Sequence, residues 1–120
     1  MPEPITQQDT YDHIFGSGFD MYGWWGIIRP EWDQREPAPH GWSVLVSVET
    51  GDHVWRDILV THSVILSAMR KLATGDVKYA TDSVAEACRD FLNDPEDADF
   101  DAGTADEVMQ MATLGEVVYG

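Results

Sequence analysis

Trp42, Val44, Val46 and Val48 fall at every second position, with Ser43 and Ser47 among the residues between them. Only a strand sends alternate side chains to opposite faces, so this run predicts a strand with one buried face. Glu49-Thr50-Gly51-Asp52 supplies a turn, and Val54 to Val60 the returning arm of a hairpin. Beyond the hairpin the apolar period lengthens from two to about 3.6. Val64, Ile65, Ala68, Met69 and Leu72 form a helical stripe, with Thr61 placed to cap its start and Gly75 to stop it. A chain that changes period in this way lays helices on one face of a sheet. The expected class is α+β.

The remaining segments extend that plan. Residues 1–6 contain Pro2 and Pro4 and read as a flexible lead-in. Thr6 caps a short helix over residues 7–15, which Gly16-Ser17-Gly18 ends. Residues 20–29 hold Met21, Tyr22, Trp24, Trp25, Ile27 and Ile28, an aromatic and β-branched strand signal closed by Pro30. Residues 30–41 carry three prolines and form a loop. Short connections favour neighbouring antiparallel pairs, so the expectation is a meander of about three strands. A helix over residues 83–92 starts with the capping-box pattern Ser83-Val84-Ala85-Glu86 and buries Val84, Cys88, Phe91 and Leu92. Residues 93–103 make an acidic loop around Pro95. A second such pattern, Thr104-Ala105-Asp106-Glu107, opens a last helix facing inward with Val108, Met111 and Ala112. Gly115 stops it, and residues 116–119 are expected to add a short strand. At 120 residues the chain fits one domain, three or four helices against the sheet, spanning 1–120.

Charge narrows the function classes. The chain has 22 Asp and Glu against 7 Lys and Arg, a formal charge of −15. Such a surface repels nucleic acid and anionic membrane, which excludes direct binding to either. Only Arg70 and Lys71 among the bases are adjacent. The start of the chain lacks a cationic, then apolar, export pattern, and no apolar run approaches the roughly 18 residues of a membrane helix. With Cys88 as the sole cysteine, a reducing cytoplasm is the expected setting.

Two stretches carry a resemblance. The run from Asp97 to Asp106, and the ending Leu114-Gly115-Glu116-Val117-Val118-Tyr119-Gly120, resemble the C-terminal signature of a family of small acidic proteins. That family is encoded by bacteriophages and prophages of high-GC, actinobacterial hosts. Thr10-Tyr11-Asp12-His13-Ile14-Phe15 and Trp24-Trp25 resemble it as well. The resemblance implies a phage setting, hence host-cell cytoplasm, and no catalytic residue.

The candidate site is a run of acids. Asp82, Glu86, Asp90, Asp94, Glu96, Asp97, Asp99, Asp101, Asp106 and Glu107 lie between residues 82 and 107, with Arg89 the only base. Acids four apart on a helix stand about 6 Å apart along its axis. Phosphates on one DNA strand follow at a similar distance, about 3.4 Å of axis each while winding around it. Like charges at this spacing weaken a helix by a few tenths of a kcal/mol per pair, so the stripe invites a functional reading. That reading is a non-catalytic protein whose acidic face engages a basic surface on a partner protein, as a nucleic-acid mimic or inhibitor. The bland reading is a solvated face. The alternative function is a structural, self-associating protein, a homodimer through a Trp-rich sheet or an edge strand at Val117–Tyr119.

Other constellations are thinner. Asp97, Asp99 and Asp101 have the first spacings of a calcium loop, but Ala102 replaces the required glycine and Val108 the last ligand. Of five tryptophans, most are expected in the core, where aromatic faces could otherwise stack on a sugar; Trp32, in the Pro-rich loop, is the expected exposed contact. His13, His40, His53 and His62 lack metal-ligand spacing. Asp57 with His53 or His62 lacks a nucleophile motif, and Cys88 sits on an apolar helix face. No enzyme activity and no cofactor are expected.

Overall fold

The computed structural model describes residues 5–29, 41–51 and 53–119. The first helix, α1 (Gln7–Phe15), starts at Thr6, whose hydroxyl accepts from the Asp9 amide while the Asp9 carboxylate accepts from the Thr6 amide. This reciprocal capping box satisfies two free amides and contributes about 1 kcal/mol. A 3₁₀ turn (Phe19–Met21) follows. Three strands, β1 (Trp25–Arg29), β2 (Ser43–Glu49) and β3 (Trp55–Thr61), form an antiparallel meander in the order β1-β2-β3. Then come α2 (His62–Ala73), α3 (Asp82–Asn93), a 3₁₀ turn (Pro95–Asp97) and α4 (Ala102–Leu114). The class is α+β.

Alternation in β2 sends Val44, Val46 and Val48 into the core, and the register sets Val60 of β3 beside Val44. Ile14 and Phe15 of α1, Ile65, Met69 and Leu72 of α2, and Phe91 of α3 close on the same core. Thr61 caps α2 as its hydroxyl suggested, accepting from the Val64 amide at 3.3 Å. α4 is buried almost all round, with Thr104, Ala105, Asp106, Val108, Met109, Gln110 and Met111 all inside. Its end is set by Gly115 in the left-handed region (φ 76°), whose amide returns to the Met111 carbonyl.

Several expectations are corrected. The aromatic run 20–29 is not one strand. Its first part is the 3₁₀ turn, and pairing starts only at Trp25. The reason is side-chain stacking: Tyr22, Trp24 and Tyr119 form a nearly parallel column with centroids 5.0 and 4.8 Å apart. Ser83 does not cap α3; Thr81 does, accepting from the Val84 amide. Thr104 does not open α4; Asp101 does, and Thr104 is already inside the first turn. Residues 116–119 form no strand. Gln110 stands where a neighbouring strand would, accepting from the amides of Val118 and Tyr119 at 2.8 Å and donating to the Tyr119 carbonyl at 3.0 Å. The acidic loop 93–103 contains the second 3₁₀ turn. Trp32, His40 and nearly all of the Pro-rich loop lie outside the described residues.

Candidate functional site

The ten acids of residues 82–107 separate into two groups. Asp82, Glu86 and Asp90 recur every four residues along α3, all exposed, opposite the buried Val84, Cys88 and Phe91. Glu96, Asp97 and Asp99 continue the exposed series through the turn. Arg89 turns its Nε onto the Ala73 carbonyl at 2.7 Å, which ties the base to the end of α2. His13 fastens the turn from below: one ring nitrogen faces the Asp9 carbonyl at 2.8 Å and the other the Pro95 carbonyl at 3.0 Å. Phe91 and Phe100 pack edge-on against the same ring. The acidic turn is therefore carried on a packed aromatic base.

The other four acids have structural partners. Asp94 accepts from the Glu96 amide and starts the 3₁₀ turn. Asp101, exposed, accepts from the Thr104 amide at 2.8 Å, and these bonds from Thr104 hold its carboxyl below the usual range. Glu107 reaches across to α3, accepting from the Thr81 amide at 3.0 Å and the Thr81 hydroxyl at 3.2 Å. It plays, from a different helix, the part of the glutamate in a capping box. Burial raises its carboxyl above the usual range against those bonds.

Asp106 is the largest departure from expectation. It is 4% exposed, so it belongs to the core and not to the acidic face. One carboxylate oxygen accepts from the indole of Trp24 at 2.7 Å and of Trp25 at 2.6 Å. The other accepts from Gln110 at 2.8 Å. Burial pushes its pKa up, with the three donors opposing. The assembly clamps α4, β1 and the chain end together, and Tyr119 closes it by donating to the Glu49 carbonyl. Its signal in the sequence was an Asp four residues before a Gln, on one side of a helix that also carries Ala105, Val108, Met109 and Met111.

The remaining candidates are not brought together. No group of three or more His, Cys, Asp or Glu among the described residues is placed to hold a metal ion, and Asp101 of the calcium-like triplet serves as a helix cap. Asp57 accepts from the Ser47 hydroxyl at 2.6 Å, whereas His62 pairs with Thr10 at 2.8 Å. Burial lowers the His62 pKa, with Asp9 opposing and Arg70 reinforcing the shift. Cys88 is buried, and its thiol is pushed up to about 12, chiefly by desolvation, so it stays protonated. An open cavity of about 380 Å³ lies between the α2–α3 connection and the end of α4, floored by Val77 and Met111. Lys71 and Lys78 on its wall are balanced by Asp76 and Glu116. Among the described residues no helix is long and apolar enough to cross a membrane. Comparison with protein-family models, with curated proteins and with solved structures finds no match to this chain.

Proposed function

We propose that this protein is a non-catalytic binding protein whose acidic outer surface engages a basic surface on a partner protein, in the manner of a nucleic-acid mimic or inhibitor. One observation carries the reading: Asp82, Glu86, Asp90, Glu96, Asp97 and Asp99 are all exposed while the nearby Arg89 is drawn to a backbone carbonyl. Repulsion among Asp82, Glu86 and Asp90 weakens α3, offset only at Asp82, which lies in the first turn where a negative charge suits the helix dipole. The formal charge of −15 adds long-range attraction for a cationic partner, which speeds encounter and weakens with salt. The resemblance to small acidic phage and prophage proteins fits the same role, with the host-cell cytoplasm as its setting.

The test is capture from a lysate of a high-GC actinobacterial host with a salt-graded elution, run beside the variant Asp82→Lys/Glu86→Lys/Asp90→Lys. A nucleic-acid-binding protein held by the parent chain, released by salt and lost from the variant, is the expected result. Equal retention by both chains overturns the proposal.

A further inference from the structure

The sheet has a second face, and it is independent of the acids. Residues of β3 that alternate with the buried Val60 point away from the helices: Trp55, Asp57 and Leu59 are exposed. The register sets Leu59 beside Leu45 and Asp57 beside Ser47 on the outer side of β2. Arg29 of β1 stands beside Leu45, completing the row. An outward sheet face is ordinarily polar. Here Leu59 is 56% exposed, Trp55 46%, and Val54 just before the strand 54%.

Gly26 makes room for the Trp55 ring. A Cβ on Gly26 of β1 would stand 3.2 Å from the indole ring and 3.0 Å from the Ser47 Cβ. The missing side chain leaves room for the ring to lie on the sheet instead of standing into solvent.

We infer that this face is where two copies of the chain associate. Charge distribution picks the occupant. Along the outer face the described charges are Arg29, Asp57 and Glu49, so it is close to neutral. The exposed acids of α3 and the following turn belong to the helical layer. A protein of this net charge meets its own copy most cheaply through a face of low charge.

The face is also self-complementary. Arg29, Leu45 and Leu59 share one level across the three strands. A twofold axis between two such faces, parallel to the strands, lays β1 of one copy over β3 of the other. Leu45 then meets its own copy. Arg29 stands over the second copy's Leu59, two residues (about 7 Å) from its Asp57, within reach of an arginine side chain. Three strands make a footprint of only about 14 by 24 Å, so the dimer is a weak, concentration-dependent one.

Sedimentation equilibrium of the full chain tests this, at about 0.05 and 0.5 M salt, which spans weak to strong screening. The expected mass rises with concentration from 13.4 kDa toward twice that value, and more readily at high salt. Salt strengthens this association while it weakens binding through the acids, so the two proposals fail separately. Leu59→Ser is expected to weaken dimerisation at least tenfold with an unchanged circular dichroism spectrum. Arg29→Asp weakens it too, and Arg29→Asp with Asp57→Arg restores it. A mass of one chain throughout, or a dimer indifferent to Leu59→Ser, overturns the inference.

Discussion

At the residue scale the decisive side chain is Asp106. A buried carboxylate without a cation survives because three donors converge on it. Asp106→Ala strands those donors in the core and is expected to cost about 3 kcal/mol, a melting temperature about 10 °C lower by calorimetry. Asp106→Asn keeps the indole bonds but turns an amide donor toward the Gln110 donor, so it should destabilise less than alanine yet measurably. The pH dependence has a definite sign. The folded pKa of Asp106 is raised, so the native state keeps a proton that the unfolded chain has lost. Its contribution therefore falls as pH rises from the ordinary aspartate range through that raised value. Asp101 works the other way: its lowered pKa makes its cap fail only as acid drops below the usual range. Melting profiles of the parent chain and Asp106→Asn should differ in slope across the first window, the variant being flatter. Neither role was legible from composition, because in the sequence Asp106 and Asp101 are two more acids in an acidic run. Burial is decided by which turn of α4 faces the core, and that depends on elements distant in the chain.

At the element scale the legible parts were those with a strict period. β2 and α2 follow directly from their apolar periods, which leave each one way to bury its apolar side chains, and β3 follows as the returning arm of the hairpin. Residues 20–24 misled because aromatic composition without alternation does not specify a strand, and Tyr22 and Trp24 found partners by stacking. Helix starts misled for a related reason. An earlier capping side chain competes with the S/T-x-x-E pattern near each start, Thr81 with Ser83 and Asp101 with Thr104, and the earlier one wins. Glu107 selects Thr81 by bonding its amide and hydroxyl from a neighbouring helix. Thr81→Ala should thus remove the cap and the hydroxyl bond to Glu107 while keeping the amide bond, at a cost of about 1–2 kcal/mol in chemical denaturation. Ser83→Ala should leave stability nearly unchanged, since Ser83 lies exposed past the cap. Comparable losses from both substitutions would contradict this account of the helix start.

At the scale of the whole molecule the sequence announced a strongly anionic protein, but not how its acids divide. Sum and sign come from composition; the division comes from packing. Asp82, Glu86, Asp90, Glu96, Asp97 and Asp99 face solvent, while Asp94, Asp101, Asp106 and Glu107 hold turns, caps and the core. The outer sheet face was legible only in part, because alternation identifies an outward row yet cannot tell whether something covers it. The central claim is that the exposed set serves recognition and leaves the fold alone. The direct measurement pairs a melting curve with binding of the captured basic partner, for the parent chain and for Asp82→Asn/Glu86→Gln/Asp90→Asn. The account predicts a melting temperature unchanged or a few degrees higher, as α3 loses like-charge repulsion, together with at least tenfold weaker binding. A melting temperature several degrees lower, or binding as tight as that of the parent chain, would contradict it.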